Sequence, residues 1–255
     1  MFLLDPREPV STWTHALGLL AAPPTTWFLI QHCRQFGSSG YYQRGKLISL
    51  MIFGFGMAFC YGASMVSHGA RVDGATLGWL ERLDHVGIFS LIAGTFTPVA
   101  WALMRPRQGR RSIALVWALS LACAGMVLAG QPFPTPLATT VYLCLGWGMV
   151  FGYCEIRLAY RDRALMALPI GGAVYSVGAA LNLLGWPTLI PGVFGPHELF
   201  HLFVLAGTAA HVRFLFAVVV PAKPWAVDFP DPHQRVAPKP SKGLGMAAGD
   251  GPGVS

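Results

Sequence analysis

Charged side chains are scarce in this sequence of 255 residues. Lys, Arg, Asp and Glu make up 11% of it, whereas soluble domains carry roughly 25%. Hydrophobic residues make up 54%, and the mean hydropathy is +0.51. This composition excludes an ordinary soluble domain. The charge present is mostly basic, with 18 Lys and Arg against 11 Asp and Glu. No segment resembles a base-reading module, so we predict no nucleic-acid partner.

Cysteine is also sparse, and its spacing excludes two further classes of structure. The five cysteines form no CxxC pair and lie in or beside apolar stretches. We therefore expect packed thiols rather than a disulfide framework or a cysteine zinc site. They are Cys33, Cys60, Cys123, Cys144 and Cys154.

Long uncharged stretches are abundant instead. A helix needs about 20 apolar residues to cross the hydrocarbon of a bilayer, and this chain offers seven such stretches. We predict an all-α, polytopic membrane protein with a seven-transmembrane-helix bundle in residues 1–221, surrounded by membrane lipids. Residues 222–255 are rich in Pro and Gly, and we predict a disordered tail. The seven predicted spans are 13–31, 47–67, 86–104, 112–128, 137–154, 164–196 (a span and a turn) and 198–220.

Loop charge predicts the orientation in the membrane. The N-terminus and the even-numbered loops carry 3 Lys and Arg, whereas the other side carries 14. Loops rich in Lys and Arg stay cytoplasmic. We therefore expect a cell-membrane (inner-membrane) location, with the N-terminus outside and the C-terminus in the cytoplasm.

A cluster of polar residues falls at one depth of this bundle. The second span ends in SMVSH, with Ser64 and His68 four residues apart, and the third begins with LDHVGIF, which places Asp84 in its first turn. The seventh begins with HELFH, with His197 and His201 four apart. Residues four apart share a helical face. Because the second span runs toward the side from which the third and seventh start, these residues meet at one depth, whichever way the protein is inserted.

Three imidazoles and a carboxylate at one depth predict a zinc site. A single histidine in a span is more often a hydrogen-bond partner between helices, but a bilayer strongly disfavours a cluster without partners. Three histidines fill three positions of a tetrahedral Zn²⁺ and leave one for water, which is typical of catalytic sites. Asp84 would orient or deprotonate that water, or hold a ligating histidine. Ser64 would donate to a substrate carbonyl or to the water.

Other polar residues in the spans have simpler interpretations. HELFH matches the HExxH pattern of zinc proteases, in which Glu198 would be the base, but a carboxylate at a helix N-terminus is favoured by the helix dipole. We prefer helix capping for Glu198. His15 begins the first span on the side of the site, as a supporting residue or an outer-surface contact. His211 lies deep in the last span, and Arg213 is expected to pair with Glu155.

The segments STWTHALGL, SMVSH, LDHVGIFSLIAGTFTP and HELFHLFVLAGTAAH together resemble the hemolysin III family. That family is related to the adiponectin and membrane progestin receptors. The resemblance covers residue 8 to about residue 220 and implies a seven-helix bundle with zinc on His68, His197 and His201. Alkaline ceramidases look like distant relatives with the same Ser, Asp and three-His set, which implies hydrolysis of a lipid amide. In the adiponectin receptors the N-terminus and zinc lie on the cytoplasmic side, whereas the loop charges here place both outside.

Four functions are compatible with these residues. The leading hypothesis is a zinc-dependent hydrolase of a lipid amide or ester. The second is a non-enzymatic sensor or regulator of membrane lipid in which zinc is structural. The third is a cytolysin, as the family name implies, although a compact bundle with a buried metal gives no physical reason for pore formation. The fourth is an intramembrane protease that uses Glu198.

Overall fold

The computed structural model describes residues 5–36, 40–131, 133–159 and 163–224, and within them the secondary structure is helical apart from one isolated β-bridge between Ile190 and Phe194. The predicted tail lies outside the described residues from 225 onward. In chain order the α-helices are α1 (Pro9–Gln35), α2 (Tyr41–Gly69), α3 (Gly74–Leu103), α4 (Pro106–Leu128), α5 (Thr135–Trp147), α6 (Val150–Ala159), α7 (Ala167–Leu184) and α8 (Pro196–Phe214). A 3₁₀ turn, Arg163–Met166, precedes α7, and a π-helical segment, Leu215–Val219, continues α8.

Six segments of the described chain are long and apolar enough to cross a bilayer, as judged by length and composition. The chain is therefore an integral, multi-pass membrane protein. Helix α1 has 27 residues but is not among the six, because it carries several polar residues and two prolines. The six segments are Tyr41–Gly69, Gly74–Leu103, Pro106–Leu128, Thr135–Cys154, Arg163–Leu184 and Pro196–Val219.

The predicted span at 137–154 is interrupted. A turn at Gly148 and Met149 separates α5 from α6. Glycine is a poor helix former, which accounts for a break at this point. Helix α5 is also the least buried of the long helices, and Ala138 is its one fully buried residue.

The helices form a ring. Following contacts around it, α1 packs on α2, α2 on α3, α3 on α5, α5 on α7, α7 on α8, and α8 back on α1, while α4 lies outside against α3. At the end of the ring where α1 finishes, a hydrophobic cluster fills the centre, and it includes Leu103, Phe214 and Val219. The opposite end brings together the end of α2 and the starts of α1, α3 and α8.

Close backbone contact fixes the register of α2 against α3. A Cβ added at Gly87 would lie 2.8 Å from the Cα of Cys60, and one added at Gly56 would lie 2.6 Å from the carbonyl oxygen of Ser90. Small residues at such contacts let membrane helices approach closely. Since Ser64 and His68 follow Cys60 by one and two turns, this contact determines where they lie relative to α3.

The start of α3 is capped by Asp73. Its carboxylate accepts hydrogen bonds from the backbone nitrogens of Ala75 and Thr76, both at 3.0 Å, and from the Thr76 hydroxyl at 2.7 Å. These bonds, those from Thr76 first, hold the pKa of Asp73 below its ordinary value. An aspartate is a favoured N-cap residue because its side chain satisfies backbone donors that the helix leaves free.

A buried lysine closes the other end of the bundle. The Lys46 Nζ donates to the carbonyl oxygens of Val220 at 2.9 Å and Ala222 at 2.8 Å, just beyond the π-helical segment. Tyr42, one turn earlier on α2, donates to the carbonyl of Ala102 at 3.2 Å. Cations near a helix C-terminus interact favourably with its free carbonyls. These contacts tie the start of α2 to the end of α3 and to the segment after the last helix.

Candidate metal centre

The last turns of α2 deliver Ser64 and His68 to the open end of the bundle. Both side chains are buried, and the helix ends immediately afterwards at Gly69. The short connection to α3 makes the two helices antiparallel neighbours, so Asp84 lies opposite the end of α2. The His68 Nε2 is 3.3 Å from the Asp84 Oδ2. Ser64 and Asp84 line the same cavity.

The first turns of α8 deliver His197 and His201. The helix starts at Pro196, and the backbone nitrogen of Gly195 donates to the Glu198 Oε2 at 2.8 Å. The other Glu198 oxygen accepts a hydrogen bond from the Ser11 hydroxyl at 3.2 Å. The capping interpretation of Glu198 is therefore confirmed. Both of its oxygens accept hydrogen bonds near the helix start.

The three predicted histidines converge. The Nε2 atom of His197 lies 3.4 Å from that of His68 and 3.2 Å from that of His201. One ring nitrogen from each lies within 4.8 Å of the others. Three imidazole lone pairs so close together repel unless a proton or a cation lies between them, and the donor set suits a metal ion. The expectation that these side chains share one depth is confirmed.

Glu8 belongs to this cluster and was not expected from the sequence. Its Oε2 lies 2.5 Å from the Nδ1 of His68, and its Oε1 lies 3.1 Å from the Arg7 guanidinium. The hydrogen bond to His68 holds the pKa of Glu8 below its ordinary value. A lone acidic residue ahead of the first helix has no spacing signature. The one available signal was its place on the same side of the membrane as the histidines.

His15 lies directly behind the histidine cluster. It is 4% exposed, and its ring stacks on that of His201 with 3.9 Å between centroids. Neither ring nitrogen has a hydrogen-bond partner. Of the two earlier interpretations, a supporting residue and an outer-surface contact, the structure favours the first.

The remaining polar residues of the last span lie away from the cluster. The His211 Nε2 is 3.2 Å from the carbonyl oxygen of Leu168 on α7, so it contacts a neighbouring helix. Arg213 is exposed. The Glu155 side chain, its predicted partner, lies outside the described residues. All five cysteines are free; Cys33 and Cys60 are buried, as expected for packed thiols, whereas Cys144 and Cys154 are exposed.

A cavity of about 550 Å³ extends from the cluster into the bundle. His197 and His201 line one end and His211 lines the other. His197 and His211 are 14 residues apart on α8, and this separation corresponds to a length of about 21 Å along the helix. Most of the lining between them is apolar or aromatic, including Tyr142 and Val204. Asp84 and Ser64 also line it. Residues of α5, which has one buried residue, form part of its wall.

Comparisons with known proteins match one family over most of the chain. The model of the family described as Haemolysin-III related matches residues 5–212. A protein of Bacillus subtilis (strain 168) named Hemolysin-3 homolog is 32% identical over 204 residues, which is 80% of this chain and 90% of that protein. Hemolysin-3 of Bacillus cereus is 26% identical over 215 residues, covering 84% of this chain and 93% of the relative. The matched region includes every residue of the cluster.

Proposed function

This chain belongs to the haemolysin III-related family, and on that premise we propose that it is a zinc-dependent hydrolase of a lipid amide or ester. The observation that carries the proposal is the convergence of three imidazoles, two of them buried and one half-buried, beside a carboxylate at the end of a cavity long enough for a hydrocarbon chain. A purely structural bundle has no need to gather these groups, because a bilayer strongly disfavours buried polar groups without partners.

The histidines fit Zn²⁺ in number and in chemistry. His68, His197 and His201 would hold the ion through their Nε2 atoms, which face one another. Imidazole suits zinc, and three protein ligands leave one position open for water or substrate. When bound, zinc supplies a Lewis acid that polarises a carbonyl and lowers the pKa of water.

Asp84 and Ser64 perform the proton chemistry in this proposal. The Asp84 carboxylate adjoins His68, so it accepts a proton from the attacking water and returns it to the leaving amine or alcohol. Ser64 lines the cavity together with this carboxylate, and it either orients Asp84 or donates to the substrate carbonyl. Ser64 is buried and Asp84 is half-buried, and this shielding from bulk water strengthens their interactions with charge that develops during the reaction.

The cavity determines the substrate class. Its length of about 21 Å and its volume of about 550 Å³ suit one extended hydrocarbon chain with the scissile carbonyl at the histidine end. Helix α5 is loosely packed and has one fully buried residue, Ala138. We infer that a lipid enters from the membrane beside α5.

The orientation follows from the loop charges. Helix α1 is the seventh span in this proposal, with the N-terminus and the zinc site outside and the C-terminus in the cytoplasm. Tagging each terminus and testing its accessibility to protease in intact cells measures this directly. A protected N-terminus would contradict the orientation without affecting the site.

Metal analysis of the purified protein tests the central claim. We expect about one zinc per wild-type chain, loss of that zinc in His68→Ala and His201→Ala, and retention of it in His32→Ala. His32 is a suitable control because it lies near the other end of α1 and contacts Phe36. Wild-type protein should also hydrolyse ceramide-like lipids, and a chelator should stop this turnover. If the two site variants turn over every lipid tested as fast as wild type, the hydrolase proposal is wrong.

The names of the relatives favour membrane lysis as a second candidate. Release of dye from liposomes by the purified protein tests it independently of hydrolysis. A lipid sensor with structural zinc shares the same residues and would show metal-dependent thermal stability without turnover. The three measurements therefore separate the candidates.

A further inference from the structure

The first two turns of α1 carry a buried polar face that contributes none of the three converging histidines. Ser11 and Thr12 are fully buried, and His15 is 4% exposed. Residues spaced three or four apart along a helix share one face. Glu8, Ser11 and His15 follow this spacing, and we refer to them as the α1 polar face. Burying such groups in a membrane protein is costly unless they have a function or partners.

Each member of the α1 polar face contacts a different part of the cluster. The Glu8 carboxylate bonds to His68 on its Nδ1, the ring nitrogen that points away from the other histidines. The Ser11 hydroxyl donates to Glu198, between His197 and His201 in the sequence. The His15 ring stacks on His201. One helix face therefore contacts both helices that deliver the imidazoles.

The Glu8 side chain does not cap its helix, as the side chain of an N-cap residue usually does. Glu8 occupies the N-cap of α1, but its side chain makes no capping hydrogen bond. Backbone hydrogen bonds hold Glu8 in place instead. The Glu8 backbone nitrogen donates to the carbonyl of His68 at 3.0 Å, and the Arg7 backbone nitrogen donates to the carbonyl of Gly69 at 3.2 Å. The Arg7 guanidinium also donates to the carbonyl of Ser67 at 3.1 Å. The segment is thus docked along the end of α2 with its carboxylate directed at His68.

We propose that the α1 polar face is a positioning layer for the metal centre, in which Glu8 fixes the ring of His68 so that its Nε2 faces His197 and His201. This inference rests on the metal site proposed above. A carboxylate that accepts from one nitrogen of a ligating histidine sets its tautomer and orientation and raises its basicity. Glu8 is a positioning residue, because its carboxylate contacts the Nδ1 of His68 on the far side of the ring from the other two histidines.

Cobalt binding to the purified full-length chain, after removal of bound metal, tests the positioning role without any substrate. Co²⁺ bound by histidines has visible absorption bands that report the geometry of the site, and competition with a chelator gives its affinity. We expect Glu8→Ala to bind Co²⁺ about 10–100-fold more weakly than wild type, the usual cost of removing such a partner, with altered bands. The Co²⁺ affinity of Glu8→Gln should lie between those of wild type and Glu8→Ala, because an amide oxygen still accepts a hydrogen bond from Nδ1 but carries no charge. Glu8→Asp should not rescue binding fully, since its carboxylate is one methylene shorter.

Glu81→Gln is the matched control. Glu81 is an exposed carboxylate near the start of α3, on the same side of the membrane, and its neutralisation should leave the affinity and the bands unchanged. The melting temperatures of the metal-free proteins show whether a variant has lost stability rather than only the position of the His68 ring. Glu8→Gln has the shape closest to wild type, so the test remains valid if Glu8→Ala fails to fold. Wild-type affinity and bands in Glu8→Gln and Glu8→Ala would overturn the positioning role and leave the three-histidine site standing. A wild-type protein that binds no Co²⁺ would overturn both.

Discussion

The Nε2 of His68 and the Oδ2 of Asp84 lie 3.3 Å apart across the antiparallel pair α2 and α3. Together with the Glu8 contact on Nδ1, this places a carboxylate on each side of one imidazole. The two carboxylates lie at opposite nitrogens of the His68 ring. Asp84 lines the cavity together with His197 and His201, whereas Glu8 is not part of its lining. On this basis we propose Asp84 for the chemistry and Glu8 for positioning.

Replacing Asp84 should abolish turnover while sparing the metal. In Asp84→Asn the side chain keeps its shape but cannot accept a proton, and general acid–base groups contribute about 10²–10⁴-fold to rate. We expect a fall of at least about 100-fold in the turnover of a ceramide-like lipid, with zinc content near that of wild type. Asp73→Asn, at the exposed N-cap of the same helix, should behave like wild type because asparagine also caps helices. Full turnover in Asp84→Asn would remove it from the mechanism.

The contact between α2 and α3 should be as important to metal binding as the ligands are. A methyl group at Gly87 would lie 2.8 Å from the Cα of Cys60, so the two backbones must separate in Gly87→Ala. We expect weaker zinc binding and a lower melting temperature. Gly78→Ala is the control on the same helix, since a Cβ there meets nothing within 4 Å and alanine favours helix by up to about 1 kcal/mol. Equal zinc affinity in the two variants would show that helix spacing does not limit the site.

Lys46 should stabilise the far end of the bundle without affecting chemistry. In Lys46→Met the stem is retained, but the carbonyl oxygens of Val220 and Ala222 lose a charged donor, and such hydrogen bonds are worth about 1.5–3 kcal/mol. We expect a clear drop in melting temperature in detergent, with the metal retained. Arg44→Met removes an exposed positive charge two residues earlier and should change little. An unchanged melting temperature in Lys46→Met would contradict this account.

Filling the cavity should alter selectivity for chain length. Ala179 on α7 is buried and lines the cavity, so the ring in Ala179→Phe would occupy space meant for the hydrocarbon chain. We expect long-chain substrates to lose turnover far more than short-chain ones, measured by comparing kcat/KM across a series of acyl lengths. Val177→Phe enlarges a side chain on the same helix that is 48% exposed and should leave the series unchanged. A uniform loss across all lengths would argue against a chain-binding cavity.

The sequence predicted the convergence of the three histidines well because helix direction alternates along a polytopic chain. The end of α2 and the start of α8 must lie on one side, and i, i+4 spacing places His197 and His201 on one face. Neither inference needs tertiary packing. The capping role of Glu198 followed similarly from the helix dipole, and the structure bears it out.

The features that the sequence did not predict depend on packing between distant segments. Glu8 reaches His68 through a docked backbone segment, and nothing in its neighbours indicates this partner. The break between α5 and α6 at Gly148 and Met149 interrupts a stretch that is apolar throughout, so hydropathy continues across it. Helix α1 was predicted as an ordinary span, yet its composition falls short of one. Two of its polar residues, Ser11 and His15, contact Glu198 and His201 in the folded bundle. These contacts explain their presence.

The polarity of α1 has a consequence for biogenesis. A helix that carries Ser11, Thr12 and His15 is a weak candidate for partitioning into lipid on its own, yet it leaves the ribosome before the other described helices. The aromatic and imidazole rings that cover His15 belong to α2 and α8, and α8 is synthesised after the other described α-helices. Stable integration of the first helix must therefore await the final one, so a nascent chain truncated before Pro196 should leave its amino-terminal segment extractable from the membrane.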